Sequence, residues 1–227
     1  MNKAVITGDI IQSTKLRVEG RTLLTNSLKD ALKLWDKDFN MKSELYRGDS
    51  FQCLVQNPAN ALRICLIIKT YIRRLNTIHP YEIRRKNGMN KNQNIANPRW
   101  IFDARISIGI GKVYEQNRSI ATSDGEAFQL SGRLLDQMKA QKQTLAISSS
   151  DSYNNELMTE LTLLDSLILK TTALQCEVIN LKLLGYTETQ IAKDLKVGQS
   201  AVNQRSNSGS WNAIETLLNR FEYLYGI

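Results

Sequence analysis

Apolar and polar residues along the first 150 positions follow patterns that are typical of both strands and helices. Leu24, Leu28, Leu32, Trp35 and Phe39 recur every three or four residues, a spacing that places them on one face of a helix. Short apolar runs bounded by turn residues predict strands. The predicted strands are Ala4 to Thr7, Glu44 to Arg47, Phe51 to Val55, Trp100 to Ile110 with Lys112 to Glu115 pairing back on it, and Thr144 to Ser148; the further helices are Ala59 to Leu75 and Gly125 to Ala140.

This order of elements indicates an α+β protein that begins with a ferredoxin-like layer. After the polar cluster at residues 148–152 the pattern becomes entirely helical. We therefore expect two domains, a ferredoxin-like domain at residues 1–150 and an all-α domain at residues 151–227.

The second segment contains the pattern of a helix-turn-helix. Leu174, Val178 and Leu181 predict the apolar face of one helix. Thr187 to Gln190 is a capping box that begins the next helix, and a turn at Val197-Gly198 leads to a third. Helix, short glycine-containing turn and helix in this order are typical of helix-turn-helix domains.

Composition narrows the class of protein. The 227 residues are 42% hydrophobic and 23% charged, which is ordinary for a globular protein. The longest apolar run, Ile64 to Ile68, ends at Lys69 and is too short to cross a membrane. The three cysteines lie too far apart for a zinc motif, and the first residues carry no apolar signal core. We therefore expect a cytosolic protein without a membrane partner.

The net charge of +8 is unevenly distributed. The basic excess lies in residues 1–150, whereas residues 151–227 carry a small acidic excess. A basic chain favours nucleic acid or other phosphates as partners. A run of basic residues from Arg84 to Arg99 is typical of a solvated loop, with a phosphate contact as the alternative.

Two acidic residues are expected to meet at one end of the sheet. Asp9 follows the first strand, and Asp49 lies in the hairpin between the second and third strands. In a ferredoxin-like layer this hairpin opens where the first strand ends, so the two carboxylates would lie side by side. Two hard oxygen ligands suit a divalent cation that takes its remaining ligands from phosphate and water. The alternative is that both are ordinary turn residues.

The segment after Asp9 suggests a phosphate contact. Gln12, Ser13 and Thr14 lie where the first strand turns into the first helix. Backbone N–H groups and the hydroxyls of Ser13 and Thr14 could hold phosphate oxygens there.

Four motifs resemble those of a known superfamily. Asp9 to Thr14 resembles the metal-binding motif of class III nucleotide cyclases, and Tyr46 to Phe51 resembles their second acidic motif and equally the GGDEF hairpin of diguanylate cyclases. Arg105 to Gly111 resembles the following strand, and Gly125 to Leu134 the cyclase helix that carries an Asn and an Arg. The chain as a whole resembles the SatD-like family of small bacterial proteins.

The resemblance implies a nucleotide-cyclase palm that binds a nucleoside triphosphate or a nucleotide derivative. Asp9, the Ile10 carbonyl and Asp49 would bind Mg²⁺ or Mn²⁺. Arg133 would neutralise charge on the phosphates as a catalytic residue, with Gln129 at the position of the family's Asn.

Two positions depart from the cyclase pattern. Gln129 replaces the Asn, and Leu45 stands where adenylate cyclases have a base-reading Lys. These departures argue against cyclisation. Binding of a metal ion and a triphosphate is still expected.

The third helix of the second segment carries side chains that can contact base edges in a DNA major groove. The candidate DNA-binding residues are Gln199, Ser200, Asn203, Gln204 and Arg205. Because only one of them is basic and the segment is slightly acidic, double-stranded DNA would be bound weakly by a single copy. The alternative is a dimerisation or docking module.

Three functions follow from these patterns. The favoured one is a regulator whose palm binds a nucleotide and whose helix-turn-helix binds DNA. The alternative is an active metal-dependent nucleotidyl cyclase or nucleotidyltransferase whose helical domain dimerises, and the third is a structural interaction protein. A homodimer is expected, because cyclase-like sites form across a two-fold axis and helix-turn-helix proteins bind two half-sites. The apolar stripe from Trp211 to Leu224 offers a contact surface or an internal packing face.

Overall fold

The computed structural model describes residues 2–16, 18–46, 48–77, 102–116 and 119–226. Seven strands and eight α-helices lie in these ranges. The strands are β1 (Lys3–Ile10), β2 (Met41–Tyr46), β3 (Ser50–Val55), β4 (Ala104–Gly111), β5 (Tyr114–Gln116), β6 (Ser119–Asp124) and β7 (Leu145–Ser149). The helices are α1 (Val18–Asp38), α2 (Ala61–Arg74), α3 (Glu126–Gln141), α4 (Asn154–Lys170), α5 (Ala173–Leu183), α6 (Glu188–Leu195), α7 (Gln199–Ser208) and α8 (Trp211–Tyr225). The predicted α+β class is confirmed.

Five strands form one sheet in the order β2-β3-β1-β4-β7. The central strand β1 pairs antiparallel with β3 and β4, while β4 and β7 are parallel. Strand β3 lies between β1 and β2, which splits the first β-α-β unit as in a ferredoxin-like layer. Because β1 is central, side chains at its end lie beside two neighbouring strands.

Helices cover both faces of this sheet. Successive residues of β1 point to opposite faces. Ile6 is fully buried in the cluster that holds Leu28 of α1 and Ile68 of α2. Val5 packs in a second cluster with Ala127 of α3. The end of β1 therefore emerges between the two helical layers.

One strand prediction is wrong. The segment around Tyr114 does not pair back on β4; β5 pairs antiparallel with β6, with Tyr114 opposite Asp124. Strand β6 escapes prediction because the sequence from Ser119 to Asp124 has no alternation of apolar and polar residues. This two-stranded sheet lies against β2 and β3, where Ile120 N donates to Glu44 Oε1 at 3.2 Å.

The hydrophobic core continues past residue 150. Leu157, Leu161 and Ile168 of α4 and Phe221 of α8 belong to the same buried cluster as the sheet and its helices. The buried part of the apolar stripe on α8 therefore packs within the chain. The domain boundary near residue 150 stays a prediction.

Helices α5, α6 and α7 enclose a smaller cluster of Val178, Ile191 and Val202. The predicted capping box is present, because the Thr187 hydroxyl accepts from Gln190 N while the Gln190 side chain accepts from Thr187 N. Lys196 ends α6 in a left-handed conformation, so α7 begins after a three-residue turn. Leu174, expected on the apolar face of α5, is instead 47% exposed.

A buried ion cluster ties α2, β4 and α4 together; we use this name for Lys69, Arg73, Asp103 and Asp165. Lys69 Nζ donates to Asp103 Oδ1 and to Thr144 Oγ1, each at 3.0 Å. Arg73 donates to Asp103 Oδ2 at 2.6 Å, and Asp165 accepts from Thr144 N at 2.8 Å. The four charges sum to zero only because α4 contributes Asp165.

The basic run from Arg84 to Arg99 lies outside the described residues, so both of its interpretations stay predictions. Within the described ranges, no helix is long and apolar enough to span a membrane.

Candidate functional site

The two predicted acids lie at the same end of the sheet. Asp9, near the end of β1, is opposite Ser50 of β3 and opposite Arg105 of β4. Ile10 N donates to Asp49 O at 2.8 Å, which joins the next residue of β1 to the hairpin. The structure thus brings Asp9, Ile10 and Asp49 together as the topology predicts. We call Asp9 and Asp49 the acidic pair.

The Asp9 carboxylate is half-buried and contacts two cations. Arg105 Nη1 lies 3.2 Å from its Oδ1 and 3.1 Å from its Oδ2, and Lys139 Nζ lies 3.9 Å from Oδ2. Burial raises the pKa of Asp9 above its usual 3.8, Arg105 and Lys139 oppose the rise, and Asp49 adds to it. The effect of burial on the pKa of this carboxylate therefore exceeds the opposing effect of its two cations.

Ser13 orients the second acid. It lies in a short 3₁₀ turn, is buried, and donates from Oγ to Asp49 Oδ2 at 2.7 Å. Its own carbonyl accepts from Arg21 Nη2 at 3.1 Å. The Ser13 hydroxyl is thus engaged with Asp49, whereas the neighbouring Thr14 is exposed and open to a ligand.

The hairpin that carries Asp49 is fastened to α1. Gly48 has a φ of 77°, a left-handed conformation that suits glycine. Its carbonyl accepts from Thr25 Oγ1 of α1 at 2.8 Å. The turn geometry of the hairpin and this contact fix the position of Asp49 relative to β1.

Helix α3 approaches the sheet very closely. A Cβ at Gly109 would lie 2.2 Å from the Ala127 carbonyl oxygen and 2.6 Å from Ser131 N. The Ser131 hydroxyl lies 2.9 Å from the Thr7 hydroxyl, which links α3 to β1. The lack of a side chain at Gly109 therefore allows the close packing of α3 on the sheet, on which the positions of the α3 side chains depend.

Among the described residues, no hydrogen bond or ion pair joins the two predicted catalytic residues to the acidic pair. Gln129 and Arg133 are both exposed on α3. Lys139, which does reach Asp9, lies ten and six residues further along the helix. At about 1.5 Å per residue these separations are about 15 and 9 Å along the axis.

Three cations at the site were not predicted as site residues. Arg105 and Lys139 contact Asp9, and Arg21 contacts the carbonyl of Ser13; we call these three residues the cationic rim. Arg105 is the first basic residue of the predicted fourth strand, so its register with Asp9 could have revealed it. Lys139 and Arg21 reach the site through the placement of α3 and α1, which leaves no signal in the sequence.

The acidic pair fits part of a divalent-cation site. Asp9 and Asp49 provide two carboxylates and Ile10 a nearby backbone carbonyl, all of them oxygen donors of the kind that Mg²⁺ and Mn²⁺ prefer. Among the described residues there is no cluster of three or more His, Cys, Asp or Glu. An ion held by these groups would have ligand positions left for phosphate and water. Asp9 also contacts Arg105.

The predicted DNA-binding residues lie on α7 and differ in exposure. Gln199, Ser200, Asn203 and Gln204 are exposed. Arg205 is half-buried, with Nη1 at 3.8 Å from Glu177 Oε2 of α5. The only basic member of the set is thus directed toward a neighbouring acid.

Comparison with known proteins gives a fold likeness. No family model matches the chain, and no curated protein matches it. A bacterial light-regulated adenylyl cyclase has 19% sequence identity and a TM-score of 0.46, over 65% of this chain and 75% of that one. The adenylyl cyclase CyaB from P. aeruginosa has 15% identity and a TM-score of 0.42, over 71% of this chain and 83% of that one. Values this low describe a partial similarity of fold and do not extend to activity.

Proposed function

We propose that the acidic pair binds a nucleoside triphosphate together with Mg²⁺ or Mn²⁺, and that the protein is a metal-dependent nucleotidyl cyclase or nucleotidyltransferase. The observation that carries this proposal is the juxtaposition of Asp9 and Asp49 at one sheet end, inside the cationic rim. Cations beside the two acids suit a polyanion that brings its own metal ion.

Each residue has a stated role in this proposal. Asp9, Asp49 and the Ile10 carbonyl would hold the cation, which supplies charge neutralisation at the phosphate oxygens. Arg105 and Lys139 would move from Asp9 toward phosphate oxygens, where a guanidinium can form two parallel hydrogen bonds. Thr14 would donate its hydroxyl to a phosphate, while Ser13 keeps Asp49 in place.

The transfer itself needs an attacking hydroxyl. Its oxygen forms a bond to the α-phosphorus as the bond to the bridging oxygen of pyrophosphate breaks, and the hydroxyl proton leaves to solvent or to a carboxylate. In a cyclase the hydroxyl is the 3′-OH of the same nucleotide, and in a transferase it belongs to a second molecule. Leu45, at the edge of β2, provides no charge for reading a base.

Gln129 and Arg133 enter the proposal through a second copy of the chain. Both are exposed on α3. In a symmetric pair they would face the acidic pair of the partner. Mixing inactive Asp9→Asn with inactive Arg133→Ala should then restore up to about a quarter of the activity, because one site in four of a random mixture is intact.

The first test is an incubation of the pure protein with each of the four ribonucleoside triphosphates and Mg²⁺ or Mn²⁺, with products separated by chromatography. We expect pyrophosphate release with one nucleotide and its loss in Asp9→Asn and Asp49→Asn. Asp30→Asn, which changes an exposed acid of α1, is the matched control. Equal pyrophosphate release by all four proteins would contradict the proposal.

A second candidate function, DNA binding by α7, is favoured by the exposed polar face that follows the three-residue turn. Gln199 and Asn203 lie on this face, and Lys193 and Lys196 precede it. Titration of a labelled duplex at two salt concentrations tests it, because binding through phosphates weakens as salt rises. Binding that persists in Gln199→Ala/Asn203→Ala would exclude α7 as the reader of bases.

A further inference from the structure

A groove runs between α4 and α8 on the outer surface of the molecule. It has a volume of about 720 Å³ and is lined mainly by apolar side chains, among them Leu163, Leu167, Ala213 and Leu217. Leu163 projects at its edge with 64% of its surface exposed. The exposed side chain of Leu163 and the apolar groove beside it therefore lie on the same surface, and the first has the shape and polarity to fill the second in another copy.

The groove has a charged end in which one carboxylate oxygen accepts no hydrogen bond from the described residues. Arg220 donates from Nε and Nη2 to Glu156 Oε1, at 3.3 and 3.1 Å. Glu160 lies on the groove wall, and its Oε2 is buried without a hydrogen-bond partner among the described residues. Burial raises the pKa of Glu160, Glu156 adds to the rise, and Arg220 opposes it. One carboxylate oxygen at this end of the groove can therefore still accept a hydrogen bond from a second cation.

An exposed leucine alone would not need an explanation. Leu34 of α1 is 65% exposed, almost the same as Leu163, and lies on a helix face rich in lysine and aspartate. Leu163 differs because it adjoins an apolar groove and a carboxylate with one unbonded oxygen among the described residues. The combination, and not the exposure, distinguishes this surface.

We propose that the α4–α8 groove is the interface of a homodimer, occupied by a second copy of this chain. In a two-fold pair the same patch meets itself, so a ridge and its groove must lie on one surface, as they do here. Leu163 of each copy enters the groove of the other. Arg220 of each copy faces Glu160 of the other, which supplies a donor to the unbonded carboxylate oxygen on both sides at once.

This interface is independent of the proposed enzymatic function. It involves α4 and α8, whereas Gln129 and Arg133 lie on α3 and the acidic pair lies at the end of β1. The dimer would therefore form with or without nucleotide, and its failure would leave the acidic pair unaffected.

The size of the surface predicts a moderate affinity. With 17 and 15 residues, the two helices extend about 25 and 22 Å at 1.5 Å per residue. A face of this size is at the lower end of stable interfaces. We expect a dimer that dissociates on dilution through the micromolar range.

The test is sedimentation or light scattering of the full chain over a wide concentration range. The samples contain no nucleotide, so that a pairing through α3 and the acidic pair is not favoured by a shared ligand. Under these conditions we expect the wild type to shift from monomer to dimer, Leu163→Glu to stay monomeric, and the matched control Leu34→Glu to behave as the wild type. A circular dichroism melt of each variant verifies that it folds. A wild type that is monomeric at every concentration, or identical behaviour of the two leucine variants, overturns the proposal.

A charge exchange keeps the test decisive if Leu163→Glu does not fold. In a dimer of the Glu160→Lys variant, two cations would face each other at each contact. In a dimer of the Arg220→Glu variant, two acids would face each other. Each variant alone should therefore be monomeric. In an equal mixture, a pair with one chain of each kind places opposite charges at both contacts. We expect dimers in the mixture alone. Dimers in either variant by itself, or none in the mixture, would refute the proposed contact.

Discussion

Two groups of charged side chains meet at the beginning of β4, and they differ in how completely their charges are compensated. The buried ion cluster centres on Asp103, and the acidic pair with its cationic rim is reached through Arg105, two residues later. Asp103 is 4% exposed and accepts from Lys69 and Arg73 at 3.0 and 2.6 Å. Asp9 is half-buried, and its contacts with Arg105 and Lys139 are 3.1 and 3.9 Å long.

The pKa values of the two acids shift in opposite directions. Burial opposes ionisation of Asp103, but Lys69 and Arg73 outweigh it and hold the pKa of Asp103 below 3.8. At Asp9 burial prevails over Arg105 and Lys139, and the pKa is raised. In the first cluster the cations therefore outweigh the burial of the acid, whereas at Asp9 burial outweighs the cations, which is typical of a site that takes a further charged ligand.

The largest expected effect is a difference in the free energy of unfolding between variants of the buried ion cluster and variants of the acidic pair. Asp103→Asn leaves Lys69 and Arg73 buried with one acid instead of two in the cluster, so we expect a loss of about 3–5 kcal/mol in the free energy of unfolding. Asp9→Asn should change it by less than about 1 kcal/mol, because its pair with Lys139 is long, its pair with Arg105 is partly solvated, and burial opposes its ionisation. Urea denaturation followed by circular dichroism measures both.

Equal losses in these two variants would remove the distinction on which the comparison rests. Lys69→Met tests the same distinction from the side of the cations. This change removes a buried cation and leaves Asp103 with Arg73 alone, so it should also be costly, whereas Lys139→Met on the exposed face should not.

Much of the fold could be predicted from local sequence patterns. The three- and four-residue spacing of Leu24, Leu28 and Leu32 identifies α1 because one face of that helix packs on the sheet. The positions of Asp9 and Asp49 then follow from the order of strands. Strand β6 could not be predicted, because it is held by pairing with β5 and by Glu44 and not by an alternating pattern.

The ion cluster shows why the rest of the structure was not predictable. In the sequence, Lys69 ends an apolar run and excludes a membrane span. In the fold it is fully buried, and its partners Asp103 and Thr144 lie 34 and 75 residues away. Local patterns carry no information on such pairs. Lys139 escaped prediction for the same reason, since its contact with Asp9 depends on how closely α3 crosses Gly109.

The second prediction concerns acid stability. Because the folded pKa of Asp103 is lower than the unfolded value near 3.8, its ionisation stabilises the fold above pH 3.8, and this contribution is lost as the pH falls through the folded pKa. Asp9 has the opposite sign, since its raised folded pKa makes ionisation cost stability as the pH rises. Unfolding from pH 2.5 to 6 should therefore show a shallower acid limb in Asp103→Asn and a steeper one in Asp9→Asn. Parallel curves for all three proteins would contradict both assignments.

The third prediction probes the acidic pair through Ser13. Ser13→Ala removes the hydroxyl that donates to Asp49 Oδ2, so this carboxylate gains rotational freedom. We expect a roughly tenfold weaker affinity for a Mn²⁺–triphosphate complex, on the order of one charge-assisted hydrogen bond. Isothermal titration with a non-hydrolysable analogue measures it, with unchanged unfolding as the control. Thr14→Ala tests the neighbouring hydroxyl, and a larger effect there than at Ser13 would reverse the two roles.

The smallest expected effect concerns the cationic rim. Lys139 lies 3.9 Å from Asp9 and its side chain is 52% exposed, so the solvent screens most of its attraction. Its removal in Lys139→Met should still raise the pKa of Asp9 further, because Lys139 is one of two cations that oppose the effect of burial. Carboxyl-carbon NMR across a pH titration measures this directly, and Lys142→Met at the end of the same helix is the matched control. The shift should shrink in high salt, as expected for a half-exposed pair, while the pKa of Asp103 stays unchanged under both conditions. If Lys139→Met left the pKa of Asp9 unchanged, Lys139 would not act on the acidic pair. If it shifted the pKa of Asp103 as much as that of Asp9, the buried ion cluster and the acidic pair would not be electrostatically separate.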